Sequence, residues 1–119
     1  MQVYTKAQNV LATPSAAILV TTTSPSIDVS ALKELALDVN ITAITGTTPT
    51  YQLMIDRLGL DGVWYTIYTG TSITAIGVIS LSIGASLITN VAFSGTIRLR
   101  EVVGGTTPSV TRSISIIGK

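Results

Sequence analysis

Gly46-Thr47-Thr48-Pro49-Thr50, echoed as Gly105-Thr106-Thr107-Pro108-Ser109, is the stretch on which the reading of this chain turns. Each copy lies between runs in which apolar and polar residues alternate. Ile41, Ala43 and Ile44 lead into the first, and Tyr51, Leu53 and Ile55 leave it; Leu99, Val102 and Val103 lead into the second, and Val110, Ile114 and Ile116 leave it. Glycine supplies unusual dihedrals and proline withholds a ladder donor, so each motif reads as a hairpin tip joining two antiparallel strands. The motifs are offset by nearly half the chain, but their likeness fades a few residues to either side. Two hairpins with similar tips account for it without a duplication.

Upstream of the first motif, Ser30 to Leu37 contains helix formers, yet Leu35, Leu37, Val39, Ile41 and Ala43 alternate with Ala36, Asp38, Asn40 and Thr42. A period of two over nine residues outweighs local helix propensity and predicts a strand from about Lys33 to Ile44, entered by one helical turn. Further upstream, Ala17 to Thr22 is a short β-rich run, closed by Thr23-Ser24-Pro25-Ser26, and Ile27 to Val29 is another. Downstream, Asp61-Gly62 is a turn ahead of a strand over Val63 to Tyr68, and Ile73 to Ile83 gives a longer strand with Gly77 as a bulge. A weak strand follows at Leu87 to Thr89. Thr96 to Val103 places Ile97 and Leu99 inward and Arg98 and Arg100 outward, and Ser109 to Ile117 turns Ile114 and Ile116 inward. The expectation is an all-β, single-domain β-sandwich of jelly-roll type over residues 17–119, with about eight antiparallel strands. Residues 1–16, with scattered apolar side chains and Pro14 at their close, read as an extended N-terminal arm.

Composition narrows the function classes. A chain of 119 residues can bury a core without metal or disulfide staples. It has neither cysteine nor histidine, which removes thiolate nucleophiles, Cys or His zinc sites and the usual general base near neutral pH. Charged residues make up 11%, against roughly 25% in an average soluble domain, and Ser and Thr fill the gap. Burying a hydroxyl costs far less than burying an ion, so such a surface suits a protein covered by neighbours on several sides. A net charge of +1 gives no electrostatic footprint for nucleic acid or an anionic membrane. The first residues lack a basic stretch followed by an apolar core, so no secretory signal is expected. Gly62 to Ile97 carries no charge, but Ile79-Ser80-Leu81-Ser82-Ile83 alternates as a strand does and lacks the sustained apolarity of a spanning helix.

No catalytic, cofactor-binding or metal-ligating constellation emerges, so no enzyme and no cofactor are expected. The six carboxylates, Asp28, Glu34, Asp38, Asp56, Asp61 and Glu101, fall on outward faces or turns and read as solvated. Asp56, Asp61 and Gly62 lack the dense oxygen ligands of a calcium loop, and Gly104-Gly105-Thr106 is a turn, with no lysine and no helix after it. Trp64, Tyr65 and Tyr68 form the one aromatic concentration. Alternation sets Trp64 with Tyr68 on one face and Tyr65 on the other, as core, as subunit contact or as a platform for sugar rings. Arg57, Arg98, Arg100 and Arg112 either form interface ion pairs or keep strand faces wet.

The long alternating strand from Leu35 to Ile44 runs into Thr45-Gly46-Thr47-Thr48-Pro49-Thr50-Tyr51. Together with Asp61-Gly62-Val63-Trp64, the closing Arg98-Leu99-Arg100 and Gly105-Thr106-Thr107-Pro108-Ser109-Val110, it resembles the small β-sandwich head decoration, or cement, proteins of tailed bacteriophages. That resemblance spans about Lys33 to the C-terminus. It implies a non-enzymatic virion protein, made in the host bacterial cytoplasm and seated on the outer capsid surface. Its partner would be the major capsid protein, and the chain itself a homo-oligomer, a trimer before a dimer. Repeated weak contacts would bridge coat subunits against internal pressure. Val3, Tyr4, Val10 and Leu11 of the arm are then the expected grip on the coat or on a neighbouring copy, with Trp64, Tyr65 and Tyr68 as interface aromatics. The alternative is a tail-fibre or baseplate module that binds host carbohydrate through those three rings.

Overall fold

In the computed structural model, which describes residues 8–30, 32, 34–84 and 95–118, every regular element is a strand. Seven strands form one antiparallel sheet: β1 (Gln8–Ile18), β2 (Thr22–Thr23), β3 (Ile27–Asp28), β4 (Glu34–Leu58), β5 (Trp64–Thr69), β6 (Gly77–Gly84) and β7 (Thr96–Gly118). The all-β expectation holds. The weak strand expected at Leu87–Thr89 lies outside the described residues. Residues 8–16, read from the sequence as part of an arm, form most of β1 and pair along β7 from Gln8 opposite Gly118 to Ile18 opposite Val110. Leu32 N–H donates to Val29 O at 3.0 Å, a single turn before β4 begins.

The two Gly-Thr-Thr-Pro motifs are not hairpin tips. They sit in the middle of β4 and β7, the two longest strands, and face each other across the ladder: Thr45 pairs with Ser109, Thr47 with Thr106, and Thr50 with Gly104. The reason lies in the backbone. Gly46 and Thr48 have φ of 122° and 47°, and Gly105 and Thr107 have 106° and 47°. Each motif thus inserts two left-handed residues, separated by one residue, which break the local register and bend the strand without reversing it. The glycines are obligatory for a second reason. A Cβ on Gly46 would lie 2.9 Å from Pro108 Cα and Thr107 O, and one on Gly105 would lie 2.7 Å from Thr48 O and 3.0 Å from Pro49 Cα.

Those contacts are related by a local pseudo-two-fold axis through the Thr47–Thr106 pair. Shifting by the 59 positions that separate the motifs exchanges the Thr45–Ser109 pair with Thr50–Gly104 and returns Thr47–Thr106 to itself. The relation extends to the whole sheet. Around the N-terminal half of β4 and the C-terminal half of β7, the strand order is β1-β7-β4-β6; around their other halves it is β2 and β3, then β7, β4 and β5. The chain therefore runs one course twice, β1 through β4 and then β5 through β7, and the two courses interlock. The reading of two hairpins with similar tips and no internal repeat is corrected accordingly.

Twenty-five residues of β4 would reach roughly 80 Å if straight at about 3.3 Å per residue, whereas the longest dimension of the molecule is 55 Å. The sheet doubles over at the motifs. Glu101 and Arg112, eleven residues apart on β7, meet side chain to side chain across the fold. The inner faces share a single core. Leu35, Leu37, Val39, Ile41, Ile114 and Ile116 come from one half, and Ile27, Val29, Leu53, Ile55, Ile97 and Leu99 from the other. Each such side chain, fully buried, contributes about 1.5–3 kcal/mol relative to exposure. Strict alternation supplies these positions. One bulge at Thr42, between the Ile41–Arg112 and Ala43–Thr111 pairs, keeps β4 in phase with the fold.

Candidate functional site

Two polar clusters and one apolar tip stand out from this scaffold. The first cluster is at the centre of the fold, where Glu101 and Arg112 are 4% and 5% exposed. The Arg112 Nε–H donates to Glu101 Oε2 and its Nη2 to Oε1, both at 2.7 Å, and the Tyr51 hydroxyl donates to Oε2 at 2.7 Å. This bidentate fork with a third donor satisfies the carboxylate. The hydrogen bond from Arg112 to Glu101 raises the guanidinium pKa further above its ordinary value, and burial followed by the charge of Glu101 raises that of the Tyr51 phenol. The reading of Glu101 as solvated is overturned: one bulge-free run from Ile97 to Glu101 carries it inward, in line with Ile97 and Leu99.

The second cluster lies on the outer face of the other half. Asp56 on β4, 2% exposed, accepts from Arg98 Nε at 2.9 Å, from Thr66 Oγ1 at 2.9 Å and from Arg100 Nη2 at 3.3 Å. Arg100 Nη2 also donates to Thr66 Oγ1 at 3.0 Å, and the Arg98 guanidinium sits 4.4 Å from the centre of the Trp64 ring. Burial would raise the Asp56 carboxyl, but the bonds from Arg98, Thr66 and Arg100 outweigh it and hold the group below the usual carboxylate range. Asp56 points outward as expected and is nevertheless buried, because the two arginines of β7 close over it. Among the expected arginines, Arg98 and Arg100 come together here and Arg112 goes to the core.

The aromatic trio is divided. Trp64 is half-buried under Arg98 on the outer face. A register shift between Ile55 and Asp56 leaves Ile67 without a direct partner, which turns Tyr68 toward the core and away from Trp64. Tyr65 is exposed and donates to Asp61 Oδ2 at 2.5 Å. That bond first, then one from Val63 N–H, holds the Asp61 carboxyl below its ordinary value. Of the expected arm contacts, Val3 and Tyr4 lie outside the described residues. So does the Val10 side chain, though its backbone belongs to β1; Leu11 packs partly buried against the core.

What sequence reasoning missed is the tip between β4 and β5. Leu58, Leu60, Val63 and Tyr65 are 36%, 111%, 50% and 45% exposed and crowd one short turn. The turn is rigid: Gly59 N–H donates to Val63 O at 2.7 Å, Gly62 N–H to Gly59 O at 3.0 Å, and Val63 N–H to Asp61 Oδ1 at 3.0 Å. The Asp-Gly signal marks the turn in the sequence, and Leu58, Leu60 and Val63 beside it are the signal that locates the surface. An open groove of about 360 Å³, lined by residues 72–79, holds no acid or base. Among the described residues, no three His, Cys, Asp or Glu side chains cluster as a metal site would require. Set against protein-family models, curated proteins and solved structures, the chain matches none.

Proposed function

We propose that this protein is a non-enzymatic virion component that docks on the assembled capsid of a tailed bacteriophage and bridges neighbouring coat subunits, and that its doubled-over sheet is a β-sandwich of jelly-roll type. The observation that carries the reading is the rigid apolar tip. Leu60 is fully exposed on a turn braced by three backbone donors, and such a surface gains most of its stabilisation when a partner covers it. The charge-poor, hydroxyl-rich composition and the two ionic clusters, closed on themselves and presenting no reactive group, agree with an adhesive role. The carbohydrate-binding alternative is less favoured, because Trp64, Tyr65 and Tyr68 lie in three different environments and form no coplanar platform. Self-association, as a trimer or a dimer, and a coat contact from residues 1–7 belong to the same reading.

Co-sedimentation with assembled phage coat shells tests it. Wild-type protein should pellet with shells and not with unassembled coat protein. Leu60→Asp, on an exposed turn, should keep its fold and lose most of its occupancy. Failure of the wild type to pellet, or full occupancy by the Leu60→Asp variant, would overturn the reading.

A further inference from the structure

The sheet has four lateral edges among the described residues, and three are defended against pairing with another chain. Strand β1 contains Pro14 and two register irregularities, β2 and β3 are two residues each and parted by Ser24-Pro25-Ser26, and β5 is short with a register shift at Ile67. Short strands, prolines and bulges are the usual means of blocking edge-to-edge association. Strand β6 has none of them. It runs eight residues in unbroken register against β4, from Gly77 opposite Ile41 to Gly84 opposite Glu34, with no charge, proline or bulge. About half of its backbone N–H and C=O groups point away from β4, as antiparallel geometry requires. Val78, at 67% exposure, lies on this edge.

The sequence of the edge selects its occupant. Ile79-Ser80-Leu81-Ser82-Ile83 reads the same in both directions. An antiparallel pairing centred on Leu81 sets position 81 against 81 of the other copy, 80 against 82 and 79 against 83. Within those five residues each cross-strand pair is like with like, aliphatic against aliphatic and serine against serine, and no charges oppose. We propose that β6 is a homodimerisation edge, joining two copies through a two-fold axis at Leu81 into one continuous sheet. This rests on the self-association part of the reading above and replaces its trimer with a dimer.

Light scattering coupled to size exclusion, across a dilution series, should show a species of twice 12.4 kDa that dissociates on dilution. Ser80→Lys with Ser82→Lys places lysine against lysine at both serine pairs, on either side of the central Leu81 pair. The Ser80 hydroxyl now donates to Asp38 Oδ1 at 2.5 Å, so a lysine there faces a carboxylate and the monomer fold is preserved. The variant should halve the mass with an unchanged circular dichroism spectrum, and mixing it with Ser82→Glu should restore a one-to-one dimer. A wild-type monomer at all concentrations, a trimer, or a dimer indifferent to the lysines would each overturn the β6 assignment. Dimerisation without shell binding would instead leave β6 in place and remove the capsid reading alone.

Discussion

The pseudo-two-fold axis makes a quantitative claim about the buried ion pair. Across the ladder Ile41 pairs with Arg112 and Leu53 with Glu101, and the symmetry exchanges those two pairs once the extra residue at the Thr42 bulge is counted. All four residues are at most 5% exposed. Arg112 and Glu101 are thus the polar counterparts of Leu53 and Ile41, and one course of the chain already fills with aliphatic side chains the place that the other fills with charges. Arg112→Leu alone strands the Glu101 carboxylate and should cost about 3–5 kcal/mol. At about 4 °C per kcal/mol for a chain of this size, the midpoint falls by roughly 12–20 °C. The triple variant Tyr51→Phe, Glu101→Ile, Arg112→Leu removes both charges and the hydroxyl that bonds to them. It should unfold in urea and on heating within about 1 kcal/mol of the wild type or up to about 4 kcal/mol above it, as for other buried pairs replaced by apolar groups. Keeping Tyr51 in the double variant leaves its hydroxyl unpaired and should lose about 1–3 kcal/mol relative to the triple. If the triple is no more stable than Arg112→Leu, the symmetry argument is wrong and the ion pair is required for reasons of shape.

The same symmetry predicts matched penalties at the crossing. Gly46→Ala and Gly105→Ala each force a Cβ into opposing backbone at positive φ, so each should cost upwards of about 1–3 kcal/mol by equilibrium denaturation, and a loss at only one of them would break the equivalence. On the outer face, the depressed pKa of Asp56 stabilises the fold above the ordinary carboxylate value near 3.9, and that contribution disappears as pH falls through the lower folded-state value. Asp56→Asn should therefore lower stability at neutral pH and flatten its decline between about pH 5 and 2; an equally steep decline in the variant would assign acid sensitivity to another group.

Alternation alone located the strands that matter, because inward and outward positions along Leu35–Ile41 and Ile97–Leu99 are fixed by a period that any buried face imposes. The Gly-Thr-Thr-Pro motifs stand out in the sequence but point to the wrong structure. Glycine and proline between strands signal a reversal far more often than a bend, and the left-handed Thr48 and Thr107 are β-branched residues that local preference argues against. Their conformation is imposed by the facing motif. The duplication was hidden for a related reason: only the crossing demands the same residues in both courses, whereas elsewhere the symmetry constrains inward-facing pattern and leaves identity free, even to the point of exchanging Ile41 and Leu53 for Glu101 and Arg112. Burial of Asp56 and Glu101 depended on partners 42 and 11 residues away, a distance over which no local pattern speaks.

Symmetry in the core and asymmetry at the edges have different consequences. By the pseudo-two-fold axis, β6 corresponds to β2 and β3, and the corresponding edge is interrupted by Ser24-Pro25-Ser26. Ser24 is also committed to β7, its N–H donating to Leu99 O and its hydroxyl accepting from Leu99 N–H, both at 2.8 Å. Had both courses kept an undefended edge, each molecule would offer two equivalent pairing surfaces, and a head-to-head contact at each would propagate into a fibre. With one such edge among the described residues, a two-fold β6 contact is isologous and closes at two copies. The apolar tip after Leu58 belongs to the β4–β5 connection, at the end of the first course. Pairing through β6, as proposed above, would carry two copies of the Leu58–Tyr65 tip related by a dyad.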